Sequence, residues 1–194
     1  MIQLTIVMNK YFTIVKDNSK SLRNKCLPVL EENMDEAIKL ANEMSEYLIA
    51  SQTPEIAEKY KLREGVGLAA PQIGKNIRLL VVYFKENIDG EERLVDHRLI
   101  NPKIISESVK LTYLAGGEGC LSVDDEHQGY IYRKYKILVK AIDAKDKKEK
   151  VITARGYEAI VLQHELDHLD GILFYDHIDK KDPFKIIEGA TRIS

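Results

Sequence analysis

The sequence predicts an α+β fold in one domain covering residues 1–194, and three observations carry that reading. Apolar residues recur at helical spacing between Asn33 and about Ala50. β-Branched, strand-like runs follow residue 74, and helical spacing returns from Tyr157 to Leu169. With 194 residues, 44% of them hydrophobic, the chain can bury a sizeable core without a disulfide scaffold.

The elements follow in order. The opening "MIQLTIVMNKYFTIVK" is mildly apolar, but Asn9, Lys10 and Tyr11 interrupt it and no small-residue cleavage site follows. It reads as part of the fold or a frayed terminus, not as a secretory signal. In "NMDEAIKLANEMSEYLIA", Met34, Ala37, Ile38, Ala41, Met44, Leu48 and Ile49 share a face, and the acidic first turn suits the helix dipole. Thr53 and Pro54 predict a cap and first-turn proline for a short charged helix, "PEIAEKYK". "IRLLVVYF" reads as a buried strand, and "KIISESVKLTYL" as a strand or hairpin arm. "YIYRKYKILVKAID" and "KEKVITARG" alternate on either side of the polar turn "AKDKK", which predicts a hairpin.

The bulk numbers exclude several classes. A formal net charge of -2 gives no global attraction to nucleic acid or anionic lipid, so neither is expected as a stable partner. No apolar run reaches membrane-spanning length. Cys26 and Cys120 are the only cysteines, which fits reduced thiols and a cytoplasmic location.

The chemistry concentrates in "QHELDHLDG". Residues four apart lie on one face of a helix, so His164 and His168 can direct two imidazoles at one ion. Glu165 is turned by about a hundred degrees from His164, close enough to serve a reacting water without ligating. This is the H-E-x-x-H arrangement with a glutamate as general base. The same short pattern also suits an exposed helix with i,i+4 charges. Ala159, Ile160, Val161, Leu162, Leu166 and Leu169 argue for burial instead, and buried imidazoles and carboxylates need partners. Gly171 supplies the helix stop.

A catalytic divalent site needs a third protein ligand. Asp170, Asp176, His177 and Asp179 lie downstream, and Cys120 lies upstream in "GGEGCLSV". A thiolate is a strong ligand for a borderline metal, although most free cysteines are plain buried hydrophobes. The stretch "GVGLAAPQIG" is no dinucleotide fingerprint, because a charged helical segment precedes it and Pro71 and Gly74 interrupt any helix after it. It reads as a turn, or as a loop that brings backbone groups and the Gln72 amide to a substrate.

Together and in this order, "GVGLAAPQ", "EGCLS" and "QHELDH" resemble the signature set of peptide deformylases, in the longer form found in Gram-positive bacteria. The inserted "SQTPEIAEKYKLRE" and the "DDEHQGYIYR" that follows "EGCLSV" point to that form, in which the tail "KIIEGATRIS" would be a strand. The resemblance implies antiparallel β-sheets wrapped around a central metal-binding helix. It also implies removal of the formyl group from N-terminal formylmethionine of new proteins.

Carried over by residue, it implies Cys120, His164 and His168 as ligands and Glu165 as general acid and base. Gln72 and the Leu121 N–H would hold the oxyanion, and the Gly67 backbone would pair with the peptide. The implied cofactor is one divalent ion, Fe2+ in cells, with Zn2+, Ni2+ or Co2+ able to replace it. The implied partners are formylmethionyl nascent peptides, with transient ribosome contact.

Helical spacing places Ile160 one turn before His164 with Val161 beside it, and both are expected to line a methionine pocket with Val66. Glu118 is a candidate acceptor for a histidine's second N–H group, and Asp167 is expected to pair with Arg133, either in support of the ligands or as an ordinary surface salt bridge. The rival readings are a zinc endopeptidase with a downstream third ligand, a hydrolase with Cys120 as nucleophile, and a closed structural metal site.

Overall fold

The computed structural model describes residues 10–88 and 90–194, so most of the opening apolar segment lies outside the described residues. Helix α1 runs Met34–Ser51 and a short α2 runs Pro54–Tyr60. Strands β1 (Gly67–Ala69), β2 (Leu79–Ile88), β3 (Glu91–Glu107) and β4 (Leu111–Leu114) follow. After a loop come β5 (Arg133–Lys134), β6 (Lys136–Asp143), β7 (Lys148–Arg155), helix α3 (Gly156–Leu169) and β8 (Thr191–Ile193).

Five strands form one antiparallel sheet in the order β1-β2-β3-β6-β7. β5, β4 and β8 form a second, with β8 parallel to β4. Two runs that read as continuous in sequence divide between these sheets. The "KIISESVKLTYL" stretch breaks at residues 108–110, its first half ending β3 and its second forming β4. "YIYRKYKILVKAID" breaks at Tyr135, whose N–H donates to Lys110 O while its own carbonyl accepts from Gly156 N.

The alternation of β2 explains where the helices sit. Leu79 and Val81 face α1, packing with Ala37, Leu40, Met44 and Leu48. Leu80, Val82 and Phe84 face the other way, against Leu162, Leu166 and Leu169 of α3. A strand covered on both faces is apolar at every position, as "LLVV" is. Helix α3 also contacts β4 and β5, so both sheets close around it. Its residues 158–166 are all buried.

Two local signals resolve differently. Thr53 occupies the cap position of α2, but its hydroxyl donates to Ile49 O, 2.8 Å away, and so serves a carbonyl in the last turn of α1 instead of the start of α2. Gly171 does end α3. At φ +77° it lets the N–H groups of Gly171 and Ile172 turn back onto the carbonyls of His168 and Asp167. A Cβ at Gly171 would stand 2.7 Å from the Arg23 carbonyl oxygen, so backbone conformation and space both require glycine. Gly171→Ala is expected to cost about 2 kcal/mol or more in urea unfolding, because a left-handed alanine alone costs about 1–2 kcal/mol. An unchanged midpoint would show that the turn tolerates a side chain.

Candidate metal centre

The last two turns of α3 carry His164, Glu165 and His168. The two imidazoles stand one turn apart, ring centroids separated by 4.9 Å. Cys120 arrives from the loop that follows β4, where Gly117 turns at φ +78°. Its sulfur lies 3.3 Å from His168 Nε2. One ligand atom from each of Cys120, His164 and His168 falls within 4.8 Å of the other two, and all three residues are buried. Among the described residues no other group of histidines, cysteines and carboxylates converges in this way. Asp170 instead pairs with Arg78, Asp176 with Arg23 and His177 with Asp167, while Asp179 accepts the Lys181 N–H.

A chain of charges orients the cluster from behind. His164 Nδ1 donates to Glu118 at 2.9 Å, which leaves Nε2 for the cluster. Arg133 grips both Glu118 oxygens, at 2.8 and 2.9 Å, and extends to Asp167, which also accepts from His177. The Arg133 and Glu118 side chains are each only 4% exposed, so this is no surface salt bridge. Asp167 is linked to the candidate ligand His164 only at one remove, through Arg133 and Glu118. Burial works against ionising Glu118, yet Arg133 and His164 overcome it and hold its carboxyl down at about 2.

The same burial splits the remaining titrating groups. It opposes charge on His164, but the Cys120 sulfur and Glu118 outweigh it and raise that imidazole well above its ordinary value. His168 is held well below its ordinary value by burial and by His164. Glu165, whose Oε2 has no hydrogen-bond partner, is raised to about 7, chiefly by burial.

These features fit a divalent cation. Sulfur and carboxylate draw positive charge into the cluster, which a proton on His164 supplies when no ion does. Ser122 N–H and the Gln72 amide both point at the sulfur, at 3.4 and 3.5 Å, an arrangement suited to a thiolate ligand. His168 is kept neutral, as a ligand imidazole must be.

The cluster opens onto a cavity of about 350 Å³. Val66, Ile160 and Val161 line it, as do Gly67, Gln72, Leu121 and Glu165. Gln72 Oε1 accepts the Ala69 N–H at 2.8 Å, so its amino group is the end that faces Cys120. Gly67 backs directly onto Glu165: a Cβ there would come within 2.3 Å of Oε1.

Sequence reasoning missed Ser122, fully buried and within 3.3 Å of the Gln72 amide, and Tyr157 in the cavity wall. Tyr157 stands seven residues before His164, a helical spacing that could have revealed it. It also missed Glu158, which His97 and Arg93 hold on the far side of α3 and which no local pattern signals.

Two outcomes follow from this geometry. Glu118→Gln is expected to weaken metal affinity by roughly ten- to a hundredfold in a chelator competition, because the carboxylate no longer polarises His164. Folding raises the Glu165 carboxyl from 4.5 to about 7, so the metal-free fold loses stability as pH rises through that interval and does not regain it above. Glu165→Gln should therefore stabilise the metal-free protein at pH 8 by up to about 3 kcal/mol and give no gain at pH 4. Equal gains at both pH values would disprove the ionic origin.

Comparison with known proteins agrees with the site. The profile of the polypeptide deformylase family matches residues 11–184. A peptide deformylase of Halalkalibacterium halodurans is 51% identical over 173 residues, 89% of this chain and 93% of that protein. Peptide deformylase 2 of Bacillus subtilis is 46% identical over 93% of this chain and 96% of its own length. The crystal structure of peptide deformylase from Thermus thermophilus superposes with a TM-score of 0.70 at 32% identity, covering 89% of each chain. A buried Cys-His-His cluster with a glutamate beside it, inside a fold shared with solved deformylases and a sequence half identical to a curated one, places this chain in the peptide deformylase family.

Proposed function

We propose that the cavity is where the formyl group is hydrolysed from the N-terminal formylmethionine of new polypeptides, releasing formate. One observation carries the reading: Cys120, His164 and Glu165 line one cavity together with Gly67 on the outer edge of β1, and His168 completes the cluster behind them.

The residues divide the work as follows. β1 is the outer strand of its sheet, so a peptide can add beside Gly67 through backbone hydrogen bonds. Ile160, Val161 and Val66 receive the methionine side chain, whose flexibility suits an apolar pocket. That placement brings the formyl carbon to the cluster. When bound by Cys120, His164 and His168, a divalent ion supplies Lewis acidity and makes water reactive at neutral pH.

As water adds to the formyl carbon, Glu165 takes its proton, and the C–O bond forms while negative charge moves to the formyl oxygen. The Gln72 amino group and the Leu121 N–H stabilise that charge. Glu165 then gives the proton to the methionine nitrogen as the C–N bond breaks, leaving a free amine and formic acid, which loses its remaining proton to become formate. A carboxyl raised toward 7 by burial is suited to both transfers.

Ferrous iron is our assignment for the ion in cells. One thiolate and two imidazoles also accept zinc, nickel or cobalt. We place the enzyme in the cytoplasm, where nascent chains are met in transient contact with the ribosome. Two free, buried cysteines support this location, and among the described residues no helix is long and apolar enough to cross a membrane. A zinc endopeptidase is not favoured, because the downstream residues it would use are engaged elsewhere.

Anaerobically purified protein should contain close to one equivalent of iron and release formate from formyl-Met-Ala, with activity lost to chelation and restored by a divalent metal. Gln72→Leu should lower kcat by roughly a hundred- to a thousandfold while KM changes little. Activity that survives chelation, or that persists in Cys120→Ala, would reject the site.

A further inference from the structure

We propose that a second cavity, beyond Leu121, receives residues three to five of the peptide substrate and favours acidic over basic side chains there. The proposal rests on the deformylase reading of the first cavity. It concerns the part of the substrate that the chemistry does not touch.

Continuity supports it first. The catalytic cavity is lined without interruption by residues 63 to 67, and of the next five residues only Gln72 reaches it. The cavity therefore runs from Gly67, at the start of β1, back along the segment that precedes the strand, toward Arg63. Arg63 and Leu121 line the second cavity as well, which measures about 270 Å³. Gly65 is not a competing partner along that path. Its N–H donates to Ser51 Oγ and its carbonyl accepts from the Gln52 amide.

Length supports it next. The four steps of chain from Gly67 to Arg63 span at most about 13 Å, a distance that four residues of an extended peptide cover at about 3.3 Å each. A peptide whose methionine sits at the cluster then presents its third to fifth residues to the second cavity.

The walls say what would fit. Tyr11, Tyr47 and Tyr60 form an edge-to-face cluster, with ring centroids 6.4 Å apart for the first pair and 5.1 Å for Tyr11 and Tyr60. Lys16, Lys61 and Arg63 also line this cavity, and among the described residues no carboxylate does. Asp124 offsets part of that charge, 2.7 Å from Lys16 and 3.6 Å from Arg63, but it is 65% exposed. Among the described residues no ion pair involves Lys61. Glu64 lines the first cavity and not the second, so its charge acts on an earlier residue of the peptide.

The protein's net charge of -2 would attract basic peptides, so a preference for acidic ones must be local in origin.

The test uses the metal-loaded enzyme and three substrates: formyl-Met-Ala, formyl-Met-Ala-Glu-Glu-Glu and formyl-Met-Ala-Lys-Lys-Lys. The acidic pentapeptide is expected to exceed the basic one in kcat/KM by roughly three- to tenfold, through KM, with the ratio shrinking as salt rises. The double substitution Lys16→Glu and Lys61→Glu should abolish or reverse the ratio. Equal turnover of the two pentapeptides, or a ratio that the double variant leaves unchanged, would overturn the proposal while leaving the deformylase reading intact. Failure to release formate from formyl-Met-Ala would overturn both.

Discussion

Everything at the centre of this molecule depends on α3 being buried while it carries His164, Glu165 and His168. A buried helix normally presents apolar side chains all round, and α3 does so through Ala159, Ile160, Leu162, Leu166 and Leu169. Three ionisable groups in that setting can persist only if their charges are answered. The answer comes from Cys120 and from the Glu118–Arg133–Asp167 chain, drawn from the loop after β4, from β5 and from α3 itself.

That arrangement separates roles among like residues. Glu118 and Glu165 are both buried carboxylates near the same histidine, yet one is held at about 2 and the other raised to about 7. The difference is a bidentate arginine. Glu118 has Arg133 and stays an anion that orients His164. Glu165 has an unpartnered oxygen and can exchange a proton near neutrality. The two histidines are divided in the same way, because the carboxylate behind His164 has no counterpart behind His168, whose Nδ1 is unpartnered.

The sheets contribute an opening as well as a scaffold. Among the described residues no strand pairs with the outer edge of β1, which lies beside the cluster. An edge of only three residues is too short to invite aggregation but long enough to align a peptide. Gly67 joins the two functions. It lies on that edge, and its missing side chain is the space Glu165 occupies. In the proposed mechanism, substrate alignment and the general base therefore meet at one glycine.

The sequence by itself determined what depends on local geometry. Two histidines four apart share a helix face in any α-helix. Gly171 marks the stop because a left-handed residue favours glycine, and the α+β class follows from hydrophobic periods of about 3.6 and 2. Glycines near Cys120 and Gln72 signalled close approach without saying to what.

Only the tertiary structure decided which distant groups meet. It chose Cys120, 44 positions before His164, over four downstream candidates, and it paired Asp167 with Arg133 from 34 residues away. It split two continuous β-patterns between sheets at residues 108–110 and at Tyr135, and it sent the Thr53 hydroxyl to Ile49. The physical reason is common to all of these: the free energy of pairing a buried polar group depends on what the rest of the fold brings within about 3 Å of it, and spacing along the chain carries no record of that.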